Sequence, residues 1–363
     1  MLENKCGLVK FVPSQATSNS ITVSGMKTTA TINFATPGIT PAGTTGDITL
    51  NAVADDAKWA ILLPQEAVAN AAVTIGSASY TVNVPAISIN DYVTSGIQIN
   101  NIDHVFSVSE STTVHFSSGN LQAVFAETDN TSCTWQFAPT QYSIVGGATA
   151  NNAVGNNVVT TTGTVDLFGW VGSSGTFAAY GINNSMEASG YGTTAGEALK
   201  HDWSVAANAA SLGNHNDWRT LTKDEWYYMF NTRTNAVSKY GTATVCGVHG
   251  LVVLPDDWTL PSGCSFTSGT NGVWDENSYD VTSWATMESN GAVFLPAAGY
   301  RRETGVYDVG IYGSYWSSTS CEEGTWYSSN SYGANFRSYG LYQDGDHFGR
   351  FLGYSVRLVR DID

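Results

Sequence analysis

The chain has 363 residues, enough for two or three domains, and 42% of them are apolar, enough for genuine cores. Only 13% are charged, against about 25% in ordinary soluble domains, so the polar surface must be built from Ser, Thr, Asn and Gly. The formal net charge of −16 speaks against nucleic acid and anionic lipid as partners, because both demand a basic face.

No apolar run reaches the ~18 residues that a spanning helix needs. The opening MLENKCGLVKF has no apolar signal region, which suits an exported protein without its export signal and equally a cytoplasmic one; composition favours the first. The composition is that of secreted all-β proteins and surface adhesins, so the expected location is extracellular, at the cell surface. Cysteines fall at 6, 133, 246, 264 and 321. They match no zinc pattern. Cys246 and Cys264 are the nearest candidates for a bridge, and the alternative is five small buried hydrophobes.

Residues 1–105 read as strand after strand. SITVSG, TATINFA, GDITLNAV, KWAILLP, AVTIGSASYTVNVPAI and SGIQINNI alternate with period two and are punctuated by Gly, Pro, Asp and Asn. Spacing of this kind predicts a small β-sandwich. Near residue 105 the character changes, and all but one of the eleven Trp lie after residue 130. GGATANNAVGNNVVTTTGTVD (146–166) reads as a loop-rich insertion. EALKHDWSVAANAA (197–210) is a candidate helix. TKDEWYYMFNTR (222–233) is a clearer one. Thr222 is its N-cap, Glu225 completes a capping box, and Trp226, Met229 and Phe230 form one apolar face. After residue 240 short strands and loops return: GLVVLP, GAVFLPAAGYR, SYWSST and YSVRLVR. Val356 and Leu358 are expected on a buried side of the last strand, with Arg360 marking its polar character. The second unit is thus α+β, with two helices early and irregular β late.

Seven segments carry a resemblance: FSSGNLQ (116–122), DLFGW (166–170), WRTLTKDEWYYMF (218–230), GLVVLPDDWTLP (250–261), GAVFLPAAGYR (291–301), GSYWSST (313–319) and SVRLVRD (355–361). In this order they resemble a C-type-lectin-like domain of the formylglycine-generating-enzyme type. Within it they resemble the variable proteins of diversity-generating retroelements, found on fimbriae of Gram-negative gut anaerobes. DDAKWAILLPQ and YTVNVPAISINDYVTSGIQI resemble the closing strands of a fimbrillin-type pilin domain. The resemblance implies a fimbrillin-like sandwich over 1–105, a lectin-like ligand-binding domain over 106–363, and a diversified region at about 301–354.

It also implies a mechanism. Error-prone copying at adenines turns AAY codons into NNY codons, which cannot encode Trp, Met, Lys, Gln or Glu. Between 307 and 354 only Trp316, Glu322, Glu323, Trp326 and Gln343 fall in that set, and no lysine follows Lys239. The expected ligand-binding face is Tyr307, Asp308, Ile311, Tyr312, Ser314, Ser320, Cys321, Tyr327, Ser329, Tyr332, Asn335, Arg337, Tyr339, Tyr342, Asp346, His347, Phe348, Phe351, Leu352 and Tyr354. Gly310, Gly313, Trp316, Trp326, Phe336, Arg350, Val356 and Leu358 would be its framework. Tyr gives stiff amphipathic contact with two rotatable angles, and Ser and Gly adapt around it. The expected ligand is a protein or a glycan, and pilin subunits would join the front domain by strand addition to a sheet edge.

No enzyme is expected. Oxidases of this fold use paired or copper-bound cysteines, and only Cys321 lies in the corresponding half. A calcium-dependent sugar site would need a Glu-Pro-Asn or Gln-Pro-Asp loop, and neither occurs. No cofactor is expected. A structural calcium is compatible with Asp256, Asp257, Asp275 and Glu276, although such residues also make turns. His201, His215 and His249 are too scattered for zinc. His201 and Asp202 are adjacent and would point to different helix faces. Arg219 and Asp224 flank the helix cap as a framework contact.

Overall fold

A computed structural model describes residues 7–13, 21–28, 30–33, 38–41, 44–50, 58–63, 65–75, 78–84, 86–87, 92–97, 104–125, 133–146, 154–155, 158–159, 163–170, 202–206, 212, 217–303, 305–321 and 330–362. The fold is β-rich with few helices. It divides into two compact units, Met1–Asn100 and Asn101–Asp363.

The first unit is β throughout its described residues. Gly7–Pro13 lies between Lys58–Leu62, antiparallel, and Tyr92–Ile97, parallel. A second sheet has the order Thr45–Leu50, Ile21–Lys27, Val68–Ile75, Ala78–Val84. Leu62 of the first sheet joins Val23, Leu50, Val73 and Val84 of the second in one core. The alternation in 45–50 runs exposed to half-buried and ends on buried Leu50, as a strand with one wet face must.

In the second unit the capping box forms as its spelling requires. The Thr222 side chain accepts from Glu225 N, and the Glu225 carboxylate accepts from Thr222 N at 2.7 Å. The helix Lys223–Tyr227 then widens into a π-helical turn, Tyr228–Thr232. Trp226, Met229 and Phe230 are all buried. Arg219 grips the same helix start through Glu225 at 2.7 and 2.8 Å and ties it to Asp361 at 2.6 Å. Thr222→Ala is expected to lower stability by about 1 kcal/mol, the usual cost of losing such a cap. Urea unfolding followed by tryptophan fluorescence checks it.

Of the 197–210 candidate helix only Trp203–Ala206 is helical among the described residues. A longer helix, Val281–Ser289, stands where short strands and loops were expected. Asp280 caps it by accepting from Ser283 N at 2.8 Å, and Trp284, Met287 and Glu288 are buried. Its Val, Thr and Ser content gives weak helix propensity, so packing of Trp284 and Met287 decides its state.

The last strand, Leu358–Asp361, runs between Thr113–Phe116 and Trp218–Thr220, antiparallel to both. Being central, it is covered on both faces: Val356 and Leu358 enter one core, Val359 another. The expected polar side therefore begins only at half-buried Arg360, while Arg357 is buried. A further four-stranded sheet has the order Ser278–Tyr279, Tyr240–Val245, Val248–Val253, Val293–Pro296.

The four described cysteines, Cys133, Cys246, Cys264 and Cys321, are all unbridged, so the Cys246–Cys264 disulfide does not form. They pack as small hydrophobes, and burial lifts the Cys133 thiol to about 11.

Candidate functional site

Three antiparallel strands carry most of the region singled out above: Gly313–Ser320, Asn330–Arg337 and Gly340–Gly349. Side chains alternate across a strand. Ala334 and Phe336 therefore turn to one side, where they enter a core with Tyr315, Trp226 and Phe116. Tyr315 and Phe336 stack at 6.2 Å. Gly313 lies opposite Phe336, and a β-carbon there would stand 2.1 Å from the ring. Hence glycine is required by close approach.

The other side carries Ser314, Trp316, Asn335, Arg337 and Tyr342. Trp316 is the pin. Its Nε1 donates to Phe168 O at 2.6 Å, and its ring meets Tyr354 at 4.7 Å. Trp170 Nε1 donates to Ser317 O at 2.8 Å, and buried Arg350 lies 4.7 Å from the Trp170 ring. Trp316, Phe336, Arg350, Val356 and Leu358 are buried, in keeping with a framework part. Trp326 is outside the described residues.

At one end of this sheet aromatic rings come together. Tyr300 and Tyr307 pair across the hairpin Tyr300–Arg302/Gly305–Tyr307 and stack at 5.7 Å. Tyr300 also meets Tyr354 at 6.3 Å. The turn that follows has Asp308 and Gly310 in the left-handed region, at φ 54° and 77°. Gly310 N donates to Ala297 O, and His249 Nδ1 donates to Gly310 O, both at 2.7 Å. The His249 ring stacks on Trp274 at 5.2 Å. This clamp leaves Ile311 58% exposed. Tyr312 follows, and the Arg337 guanidinium lies 4.3 Å from its ring and 5.9 Å from that of Tyr339. Arg337 Nη1 donates to Tyr339 Oη at 2.8 Å. That bond, ahead of the opposing effect of burial, holds the guanidinium above its ordinary pKa.

Of the expected face, Tyr307, Asp308, Ile311, Tyr339 and Tyr342 are exposed, and Tyr312, Tyr332, Arg337, Phe351 and Leu352 are half-buried. Tyr332 leaves the strand on the Phe336 side, under Lys223 Nζ at 4.2 Å, so it does not belong with Arg337. Five expected contact residues are interior instead: Ser314, Ser320, Cys321, Asn335 and Tyr354. Tyr354 is wedged between Trp316 and Tyr300, and burial pushes its hydroxyl well above the usual range. Ser320 faces Ser331 across the hairpin, and Cys321 N donates to Asn330 O at its end. Ser314 pairs with Asn335, and Asn335 with Tyr342, across the three strands. Tyr327 and Ser329 lie outside the described residues. Asp346, His347 and Phe348 lie on the third strand, with side chains outside the described set. Tyr300, Lys223 and Trp274 were not singled out in the sequence, and His249 was weighed only as a zinc ligand. Tyr300, next to the AAGYR motif, was the most accessible of these.

The carboxylates considered for calcium do not converge. Asp256 accepts from Ser107 N and Oγ and from Arg233, Asp257 meets His104 at 3.3 Å, Asp275 accepts from Thr244 and Glu276 from Asn271. Among the described residues no three His, Cys, Asp or Glu gather as metal ligands would. Of the described histidines, His104 faces Asp257, His115 bonds the His104 carbonyl at 3.1 Å and His249 serves the turn. His201 and His215 lie outside the described residues.

The fold and this surface define a β-rich protein with a tyrosine- and arginine-lined face, and no helix among the described residues is long and apolar enough to cross a membrane. No family model matches the chain, and no curated protein matches it. Two solved structures are similar over part of it. One is a candidate cell adhesion protein from Bacteroides thetaiotaomicron, 11% identical, covering 27% of this chain and 45% of that one, with a TM-score of 0.21. The other is a candidate cell adhesion protein from Bacteroides ovatus, 19% identical, covering 27% and 41%, also with a TM-score of 0.21. This chain thus spans less than half the length of either, and a superposition so loose establishes neither fold nor function.

Proposed function

We propose that this chain is a cell-surface ligand-binding protein of adhesin type, whose contact face centres on Tyr307, Ile311, Tyr312, Arg337, Tyr339 and Tyr342. One observation carries the reading. Of the nine exposed large apolar side chains among the described residues, four are Tyr307, Ile311, Tyr339 and Tyr342, gathered within 36 positions beside one arginine. Tyr and Arg dominate binding hot spots, with about 2 kcal/mol or more per anchor, and exposed apolar clusters mark interaction sites. The rings stand on strands pinned by Trp316 and Phe336, so little order is lost on binding.

The finer form of the proposal is a retroelement-diversified variable protein with a C-type-lectin-like domain, carried on a fimbrium by a fimbrillin-like front unit. It is supported by the seven segments and by the scarcity of NNY-forbidden residues between 307 and 354. The buried position of Ser314, Asn335 and Tyr354 narrows the contact set within that stretch.

The triple variant Tyr307→Ala, Tyr339→Ala, Tyr342→Ala is expected to fold normally and to lose at least tenfold in retention on the surface that captures the parent chain. Equal capture by parent and variant would refute the face. For the finer form, a second copy of the 305–355 coding segment, differing only at adenines, should lie beside a reverse transcriptase gene.

A further inference from the structure

The turn that presents Ile311 and Tyr312 needs support from outside. It holds Asp308, which carries a β-carbon, at φ 54° and Gly310 at φ 77°, and such backbone persists only where its surroundings over-determine it. Its internal bonds, from Ile311 N and Tyr312 N to Asp308 O, are 3.0 Å each. The shorter ones come from other elements. Gly310 N donates to Ala297 O at 2.7 Å, and Gly299 N donates to Tyr312 O at 2.8 Å. From the strand Val248–Val253, His249 Nδ1 donates to Gly310 O at 2.7 Å. The His249 backbone is fixed in turn, because its carbonyl accepts from Ala297 N at 2.8 Å. Its ring is fixed by Trp274, which lies nearly parallel to it, at 12° and 5.2 Å.

Trp274 also reaches the second turn of the face. Its ring meets Phe336 edge-on at 6.4 Å, and two residues before it Gly272 N donates to Ser338 O at 2.9 Å. Ser338 stands between Arg337 and Tyr339. The loop that carries these atoms, 267–277, is closed at its foot. The Asn277 side chain accepts from Thr267 N and donates to Thr267 O, both at 2.7 Å, and donates to Thr242 O at 2.8 Å. Nearer its tip, Thr242 Oγ1 donates to Val273 O at 3.0 Å and Thr244 Oγ1 to Asp275 at 2.6 Å.

Resting on the contact face proposed above, we infer that the loop 267–277 is the bracket that sets the spacing of its two turns, with Trp274 and His249 as positioning residues. One tie runs from Trp274 through His249 to Gly310. The other runs from Trp274 to Phe336 and from Gly272 to Ser338. Both start from one loop that is itself bonded to the strand Tyr240–Val245, so Ile311 and Tyr312 keep a fixed separation from Arg337 and Tyr339 before any partner arrives. A face already held in its bound shape loses less order on binding. The loop lies outside the 301–354 segment, so the shape of the face is set by residues that do not belong to it.

The test is hydrogen exchange of the full chain, read by mass spectrometry, for the parent, His249→Leu, His249→Asn and Trp274→Leu. Leucine fills the site without a donor, whereas asparagine puts an amide N–H where Nδ1 stands. Residues 308–312 are expected to exchange about tenfold faster or more in His249→Leu, with 337–340 unchanged, and to return to the parent rate in His249→Asn. Trp274→Leu should speed both turns. Exchange resolves local opening of this kind from global unfolding. An antibody fragment selected on the folded parent, and dependent on both Ile311 and Tyr339, gauges the spacing. It should bind His249→Leu and Trp274→Leu about tenfold more weakly or worse, and His249→Asn like the parent. Parent-like exchange of both turns in the leucine variants overturns the bracket, as does failure of His249→Asn to rescue. So does exchange raised throughout the second unit with a thermal midpoint lower by about 10 °C or more, which would make these residues general supports. Should the exchange pattern fail while the triple tyrosine variant loses its surface, the bracket falls and the contact face stands. Should the pattern hold while the triple variant is captured like the parent, the contact face falls and the bracket stands.

Discussion

Trp316→Ala is expected to cost about 3–5 kcal/mol, the range for deleting a large buried aromatic side chain, and to abolish every binding property of the face. The residue is 1% exposed and packs in a core with Phe168, Trp170, Trp203 and Tyr354. Removing the indole leaves the Phe168 carbonyl without its 2.6 Å donor and Tyr354 without its nearest ring. The tyrosines at the sheet end are held through that chain: Trp316 to Tyr354, Tyr354 to Tyr300, Tyr300 to Tyr307. Trp316→Phe keeps most of the packing and loses one of two donors to Phe168 O, since Tyr354 N still donates to it at 3.0 Å, so it should cost about 1 kcal/mol, the net worth of one hydrogen bond. Urea unfolding of both variants ranks them. A Trp316→Ala chain as stable as the parent would refute the pin.

The second large effect is electrostatic. Stability of the second unit is expected to fall as pH rises from about 5 to about 8, and Glu288→Gln is expected to flatten that slope. Glu288 is fully enclosed on the helix 281–289, and burial pushes its carboxyl up to about 8. Gln141 Nε2 donates to it at 2.6 Å, while Gln141 Oε1 accepts from Phe294 N at 2.7 Å and from Arg357 Nη2 at 2.6 Å. The glutamine bond and the Arg357 cation both favour the ionised form, but desolvation is the larger effect. In the unfolded chain the group titrates near 4.5. Between these values the unfolded chain has released a proton that the folded chain retains, so stability is full below about 4.5 and is lost as pH climbs through about 8. The full effect is on the order of 5 kcal/mol, at ~1.4 kcal/mol per pKa unit. Thermal midpoints at half-unit pH steps, for parent and Glu288→Gln, measure it. Parallel profiles would show that Glu288 is ionised throughout.

Some of this was legible in one dimension because the physics is local. A capping box needs two residues three apart, so Thr222 and Glu225 announced their helix, and Trp226, Met229 and Phe230 named its buried face. Period-two runs announced the β character of the first hundred residues. Trp316, Phe336, Arg350, Val356 and Leu358 are buried, as expected for framework, because bulky side chains in motifs with little other chemistry have little else to do. The helix 281–289 was hidden by its Val, Thr and Ser, although Asp280 and the Trp284–Met287 spacing were available as signals.

By itself, then, the sequence determined the β-rich character, the cap, the framework aromatics and the tyrosine-rich, lysine-free segment, all of which depend on residue type and short spacing. Tertiary structure alone decided which members of that segment meet solvent. Ser314, Asn335 and Tyr354 have the same composition-level credentials as Tyr307, Tyr339 and Tyr342, yet strand pairing and the Trp316 core place them inside. It also decided the state of Glu288, a residue type that is almost always solvated, by enclosing it so fully that desolvation outweighs Gln141, 147 positions before it, and Arg357, far along the chain after it. Burial and pairing across such separations are properties of a packed interior, and no local pattern encodes them.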